Sequence, residues 1–411
     1  MMNLDQSTKL QNVLYEIRGP IAARAAELER QGHSILKLNI GNPQPFDFRP
    51  SQQVITEMSA RLPYINGYSD SKGLKEAREE VVKRYEEQQH FPEFDIDNVF
   101  LGHGVSELIT MTMQALLNDG DEVLIPSPDY PLWTAMTSLG GGRPIHYRCV
   151  ESDNWAPDID DMESKITPQT KAIVVINPNN PTGAVYTKTV LQRIAALARK
   201  HGLLLLADEI YDSILYANAT HISLAEVASD VMCLTFNGLS KSACIAGYRS
   251  AWMVITGDTS NARGFIHGLE LLASTRLCPN VPGQVALQVG LQTMGKERNE
   301  DTDLSFSARH GRLAMQRDIS VTKLNEMQGV SCVAPQGALY AFPRLDPEVH
   351  EIGSDEKLVM DLLNSEHILL VHGSGFSWPA TDHLRVVMLP RQEQLEIAFE
   401  RMGNFLDNYH Q

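Results

Sequence analysis

The segment FNGLSKSACIAGYRSAW, residues 236–252, holds one lysine, Lys241, and eight residues later one arginine, Arg249. A lysine amine attacks a carbonyl or takes up a proton only when neutral. Its ordinary pKa is ~10.4, and burial beside a cation such as Arg249 lowers it. A lysine alone reads equally well as a solvated surface charge, so the other groups carry the weight. Asp208 follows the run Leu203–Leu206 in LLLLADEIYDSI. A carboxylate at the end of so apolar a strand needs a cation or strong donors, unless it caps the next helix. In NPNNPTG, residues 177–183, Pro181 holds Asn180 extended, so that its amide can face a crevice; the same residues also suit a plain turn. LGHGVSELI opens a helix behind glycines and can offer the N–H groups of Val105 and Ser106 to a phosphate. In PSPDYPLW, prolines flank Tyr130, which is suited to stacking on a flat ring. Together these residues supply a nucleophilic amine, a buried anion, an anion cradle and an aromatic face.

Short apolar runs alternate with helical patterns through the middle of the chain. Strands are expected at 121–126, 171–177, 203–209, 231–236 and 251–257. An amphipathic helix is expected at 188–201, with Val190, Ile194, Leu197 and Ala198 on one face. Such alternation predicts an α/β domain with a mostly parallel sheet covered on both faces. Ligands of such sheets bind beyond the carboxyl ends of the strands. Asn177–Gly183, Asp208–Tyr211 and Phe236–Lys241 each end or follow an expected strand. From about residue 310 the order becomes helix, strand, helix, strand and a last amphipathic helix, a smaller α+β domain. The division read from this is 1–50 packing with the small domain, 51–305 as the large domain and 306–411 as the small one.

With 411 residues, 43% hydrophobic and 21% charged, the chain is expected to be a soluble protein of two domains sharing a cleft. A net charge of −16 argues against nucleic acid as a partner. Five cysteines with no CxxC pair argue against a metal site or a disulfide framework and fit a cytoplasmic compartment. No stretch approaches the roughly 18 apolar residues of a membrane span. A dinucleotide-binding reading fails because LGHGVSEL lacks the G-x-G-x-x-G spacing and leaves the Asn-Pro-Thr-Gly and Ser-Lys motifs without a role.

The joint order of these motifs resembles the fold-type I pyridoxal-phosphate enzymes, specifically the class I/II aminotransferases. YEIRGP, LKLNIGNP, GYSDSKGL, INPNNPTGAVY, ADEIYD, FNGLSK, LLASTRLCPNVP and PQGALYAFP look like the bacterial enzymes that pair glutamate with pyruvate. The resemblance implies a large domain with a mostly parallel seven-stranded sheet between helices. It also implies that pyridoxal 5′-phosphate forms an internal aldimine with Lys241. Asp208 then pairs with the ring nitrogen, Asn180 and Tyr211 hydrogen-bond the phenolic oxygen, and Tyr130 stacks on the ring. Val105, Ser106 and Arg249 hold the phosphate, with Ser240 also at the cofactor. Tyr68 reaches the phosphate of the other subunit in a homodimer with shared active sites. Arg385 grips the substrate α-carboxylate beside Gly41 and Asn180, and Tyr15 and Arg18 fold over an amino-acid or 2-oxo-acid substrate.

Where such enzymes usually carry Thr-Tyr-Arg after the Ser-Lys pair, this chain has Ser242, Ala243 and Cys244. The lost bulk and charge lead to the expectation of an enlarged site that takes a larger or modified amino acid. The same catalytic groups also allow elimination, γ-replacement or carbon-carbon bond formation on an activated amino acid such as S-adenosylmethionine.

Overall fold

A computed structural model describes residues 4–13, 19–88, 90–297 and 311–411. Its central sheet, with strands numbered in chain order, comprises β1 (Val99–His103), β2 (Glu122–Ser127), β3 (Arg143–Val150), β4 (Ala156–Pro157), β5 (Thr170–Ile176), β6 (Leu204–Asp208), β7 (Cys233–Gly238) and β8 (Ser250–Thr256). The spatial order is β1-β8-β7-β6-β5-β2-β3-β4. Neighbours from β7 through β6, β5 and β2 to β3 are parallel, whereas β8 runs antiparallel to both β7 and β1. The seven expected strands are present, and the two-residue β4 adds an antiparallel edge to β3.

The five strands expected from apolar runs lie within two residues of their expected limits. β1 and β3 lacked that signal, because β1 carries Gly102 and His103 and β3 leaves Arg143 and Arg148 exposed. Side chains alternate across the sheet, as a period of two requires. Ile173, Val175, Leu205 and Ala207 pack on one face with the helix Lys188–His201. Val174, Ile176, Leu206, Leu234 and Phe236 pack on the other with the helices Val105–Leu116, Pro131–Leu139 and Arg263–Thr275. The helix Lys188–His201 has the expected limits: the Thr187 side chain caps its start, and Gly202 ends it at φ 66°. Its buried face is Leu191, Ile194, Ala195, Leu197 and Ala198, leaving Val190 only half-buried.

A separate apolar cluster joins Ile21, Ala25, Leu28, Leu38 and Phe48 to the helices Arg312–Glu326, Asp355–Glu366 and Gln392–Leu406. Residues 21–48 thus share a core with the described C-terminal region. In that region a three-stranded sheet sets Leu384–Val387 between Tyr340–Ala341 and Val371–His372, antiparallel to each. The expected boundary at 305/306 lies outside the described residues.

Strand direction gathers the functional segments. The carboxyl ends of β1, β2, β5, β6 and β7 all meet one edge of the sheet. β8 starts at that same edge because it is antiparallel, so Arg249, just ahead of Ser250, falls beside Lys241.

Candidate active site

At this edge a cavity of about 320 Å³ is lined by Gly41, Val105, Ser106, Tyr130, Asn180, Asp208, Tyr211, Ser240, Lys241, Arg249 and Arg385. Eleven residues named from sequence thus meet in one place. Ile40, Ile176, Ile210, Ala246 and Tyr340 complete the wall.

Lys241 lies on the short helix Leu239–Ser242 that follows β7 directly. Its ammonium donates to the Gly41 carbonyl at 2.5 Å. Burial lowers its pKa, Tyr340 opposes the shift, and Arg385 and Arg249 add to it. Lys241 is therefore readier than a surface lysine to act as a neutral amine.

Asp208 is the last residue of β6 and is buried. Its carboxylate accepts from Trp133 Nε1 at 3.0 Å and from the Ile210 N–H at 3.4 Å. Burial outweighs these donors and raises its pKa to about 6. A carboxylate held this way is paired best by a cationic N–H. Three residues on, Tyr211 Oη lies 2.8 Å from Tyr340 Oη, and burial keeps the Tyr211 hydroxyl protonated well beyond its ordinary range.

The helix Val105–Leu116 starts at Gly104 with no side-chain cap, so its first N–H groups are available at the cavity wall. The Arg249 guanidinium donates to the carbonyls of Ala246 at 2.9 Å and His103 at 3.2 Å, beside that terminus. Helix end and guanidinium form a cradle for a dianion.

Across the cavity, Arg385 Nη1 donates to Asn180 Oδ1 at 3.1 Å, and Nη2 donates to the Asn39 carbonyl. Asn180 comes from the turn after β5, where Asn179 Oδ1 accepts from the Thr182 N–H and hydroxyl. The Gly183 carbonyl of this turn accepts from the N–H groups of Gln336 and Gly337. A Cβ at Gly183 would meet Pro335 Cβ at 2.5 Å, so the two segments need glycine to touch. That contact brings the PQGALYAFP segment, and with it Tyr340, to the cavity.

Three candidates stand apart. Tyr68 is 84% exposed and does not line the cavity of its own chain. Tyr15 and Arg18 lie outside the described residues. None of Ser242, Ala243 and Cys244 lines the cavity. Ser242 Oγ turns back to the Gly238 carbonyl at 3.4 Å, Ala243 packs in the cluster of Leu239, Ile245 and Trp252, and Cys244 packs against the core of the C-terminal region. Trp133 and Tyr340 had no role assigned from sequence, although each sits in a motif already marked, PDYPLW and PQGALYAFP. Their only signal was an aromatic within a marked motif, which packing explains equally well.

The chain matches the family described as aminotransferase class I and II over residues 33–402. It is 62% identical to the alanine aminotransferase of Mycobacterium tuberculosis (strain ATCC 25618 / H37Rv) over 406 residues, 99% of this chain and 93% of that protein. It is 48% identical to the glutamate-pyruvate aminotransferase AlaA of Escherichia coli (strain K12) over 414 residues, covering both in full. The crystal structure of an aminotransferase from Escherichia coli superposes with a TM-score of 0.95 at 48% identity, covering 100% of each chain.

Proposed function

The chain belongs to the class I and II aminotransferases, which use pyridoxal phosphate to move an amino group between an amino acid and a 2-oxo acid, and we propose that here the group moves between glutamate and pyruvate, yielding alanine and 2-oxoglutarate. The observation that carries this reading is the Arg385–Asn180 pair facing Lys241 across a cavity with Ile40, Ile176 and Ile210 in its walls. One carboxylate clamp beside the amine suits an α-amino acid, and the neighbouring apolar walls suit the short side chain of alanine; glutamate as the other partner is supported by relatives named glutamate-pyruvate aminotransferases. Elimination, γ-replacement and carbon-carbon bond formation on S-adenosylmethionine are set aside, because relatives at 48–62% identity are named aminotransferases.

The residues present fit the cofactor. The buried Asp208 carboxylate, held near pKa 6 by burial, seeks a cationic N–H such as a protonated pyridine. The Gly104 end of the helix Val105–Leu116 and Arg249 suit a phosphate; a Cβ at Gly104 would lie 2.1 Å from Arg249 Nη2. Bound there, pyridoxal phosphate supplies an aldehyde that condenses with amines and a ring that accepts electrons.

The chain's own groups do the rest. Arg385 binds the substrate α-carboxylate through two parallel N–H donors, oriented by Asn180, with the Gly41 backbone beside it. Lys241 provides the covalent anchor and then carries the proton away from the substrate Cα, a task its lowered pKa favours. With the cofactor bound, Asp208, oriented by Trp133, would keep the ring nitrogen protonated, Tyr211 and Asn180 would donate to the phenolic oxygen, and Tyr130 would stack on the ring. Val105, Ser106, Ser240 and Arg249 would hold the phosphate, and the resemblance assigns Tyr15 and Arg18 to substrate binding.

The functional unit is a cytoplasmic homodimer in which Tyr68 completes the partner's phosphate site. Support comes from the exposed large apolar side chains Leu62, Tyr64, Tyr68 and Leu277, in two stretches of the chain. These two stretches are tied where the Ser69 N–H meets Cys278 Sγ at 3.4 Å and Gln284 Nε2 meets Ser69 Oγ at 3.1 Å. We assign residues 1–50 and 306–411 to a small domain and 51–305 to the large one.

Purified protein incubated with pyridoxal phosphate should show a visible absorption band that borohydride fixes at Lys241. It should turn over alanine with 2-oxoglutarate, and glutamate with pyruvate, faster than branched or aromatic amino donors; comparable rates with those bulky donors would overturn the choice of substrate. Light scattering should return twice the chain mass.

A further inference from the structure

We infer that Tyr340 is a positioning residue that ties the substrate clamp to the cofactor-holding tyrosine, its hydroxyl setting Tyr211 and its ring setting Arg385. This rests on the reading above, in which Tyr211 faces the cofactor and Arg385 the substrate carboxylate.

The strand register explains the ring. Tyr340 pairs with Val387 across an antiparallel ladder. Arg385, two residues along the neighbouring strand, is its diagonal neighbour on the same face, within reach of long side chains. The guanidinium carbon lies 4.5 Å from the Tyr340 ring centroid and 4.5 Å from that of Phe376. A buried guanidinium over an aromatic face is held in plane, which a bidentate carboxylate contact requires.

The hydroxyl faces the other way. Tyr340 Oη meets Tyr211 Oη at 2.8 Å, where both residues are buried. Each hydroxyl has one proton to donate. When Tyr211 spends its proton on the cofactor's phenolic oxygen, the bond between the two tyrosines requires Tyr340 to donate to Tyr211. Two donors in series polarise one another, so Tyr211 donates more strongly than a lone tyrosine. Gly41 closes the third side: a Cβ there would lie 2.3 Å from Tyr340 Oη, and the same glycine's carbonyl takes the Lys241 ammonium. The side chain cannot shift without disturbing Tyr211, Arg385 or Gly41.

The test compares cofactor-loaded wild type, Tyr340→Phe and Tyr340→Leu, each first shown to retain the visible band. The readouts are the pH midpoint of that band and the dissociation constant of propionate, a plain monocarboxylate. The ionisable groups facing the hydroxyl pair, Lys241, Arg385 and Tyr130, are unchanged in both variants. Tyr340→Phe keeps the ring and loses the hydroxyl. Its midpoint should rise by about half a pH unit, because a weaker Tyr211 donor stabilises the deprotonated phenolic oxygen less. Its propionate affinity should stay within about twofold of wild type, since the ring is kept. Tyr340→Leu should show the same midpoint shift and bind propionate about tenfold more weakly. An unshifted midpoint in Tyr340→Phe, or wild-type propionate affinity in Tyr340→Leu, would overturn the inference. A wild-type enzyme without a titrating band would overturn the cofactor-site reading itself, and the role of Tyr340 with it.

Discussion

Gly104 and Arg249 meet so closely that a Cβ on the glycine would stand 2.1 Å from the arginine's Nη2. Gly104 also holds φ at 80°, a conformation that costs an L side chain on the order of 1 kcal/mol or more. The glycine thus lets the guanidinium lie against the helix terminus, and the two donors converge on one anion. Gly104→Ala should fold with a modest loss of stability while its affinity for pyridoxal phosphate falls roughly tenfold, the worth of one displaced charge-assisted bond. Titration of the apoprotein by absorbance measures it; unchanged affinity would remove Arg249 from the phosphate site.

Lys241→Ala removes both the covalent anchor and the proton carrier. Amino transfer should drop by at least about a thousandfold, within the range expected when a positioned base is lost. The protein should also lose the band that borohydride fixes. Full turnover by this variant would exclude Lys241 from the chemistry.

Arg385→Lys keeps the charge but not the fork. A lysine cannot give two parallel bonds to a carboxylate while also bonding Asn180 Oδ1. KM for the amino acid and for the 2-oxo acid should both rise, by about tenfold to a hundredfold, with a smaller change in kcat. A change confined to one of the two substrates would contradict a shared α-carboxylate clamp.

Asp208 makes the apoprotein's stability depend on pH. Burial lifts its carboxyl from 3.8 to about 6 in the folded chain, so between these values the folded state binds the proton more tightly than the unfolded one. Its contribution is therefore most favourable below about pH 4 and is lost as pH rises through 6, amounting to at most about 3 kcal/mol. In urea unfolding at several pH values, Asp208→Asn should be more stable than wild type at pH 8, with the advantage shrinking toward pH 4. Adding pyridoxal phosphate should stabilise wild type more than the variant, because only the carboxylate gains a cationic partner. An equal pH profile for both proteins would show that Asp208 is not desolvated.

The residues that do chemistry were legible because their types are unusual for their surroundings: an Asp after four leucines, a lysine among small residues, an asparagine between prolines. The five strands read from apolar runs, and the helix Lys188–His201 with its Thr187 cap and Gly202 stop, follow from local periodicity and local dihedral preferences. β1 and β3 were not legible, because a glycine and a histidine interrupt one and exposed arginines the other. Local preference also says nothing about direction or distant partners. The antiparallel course of β8 sets Arg249 beside the helix terminus at Gly104, and the contact of Gly183 with Pro335 and Gly337 brings Tyr340 to Tyr211. Arg385 reaches Asn180 across 205 residues of chain. Ser242, Ala243 and Cys244 do not line the cavity, although they adjoin Lys241 in sequence. Sequence by itself determined which groups are available and which elements carry them. Tertiary structure decided which of them face one another, because burial and close packing act on surfaces that only the folded chain brings together.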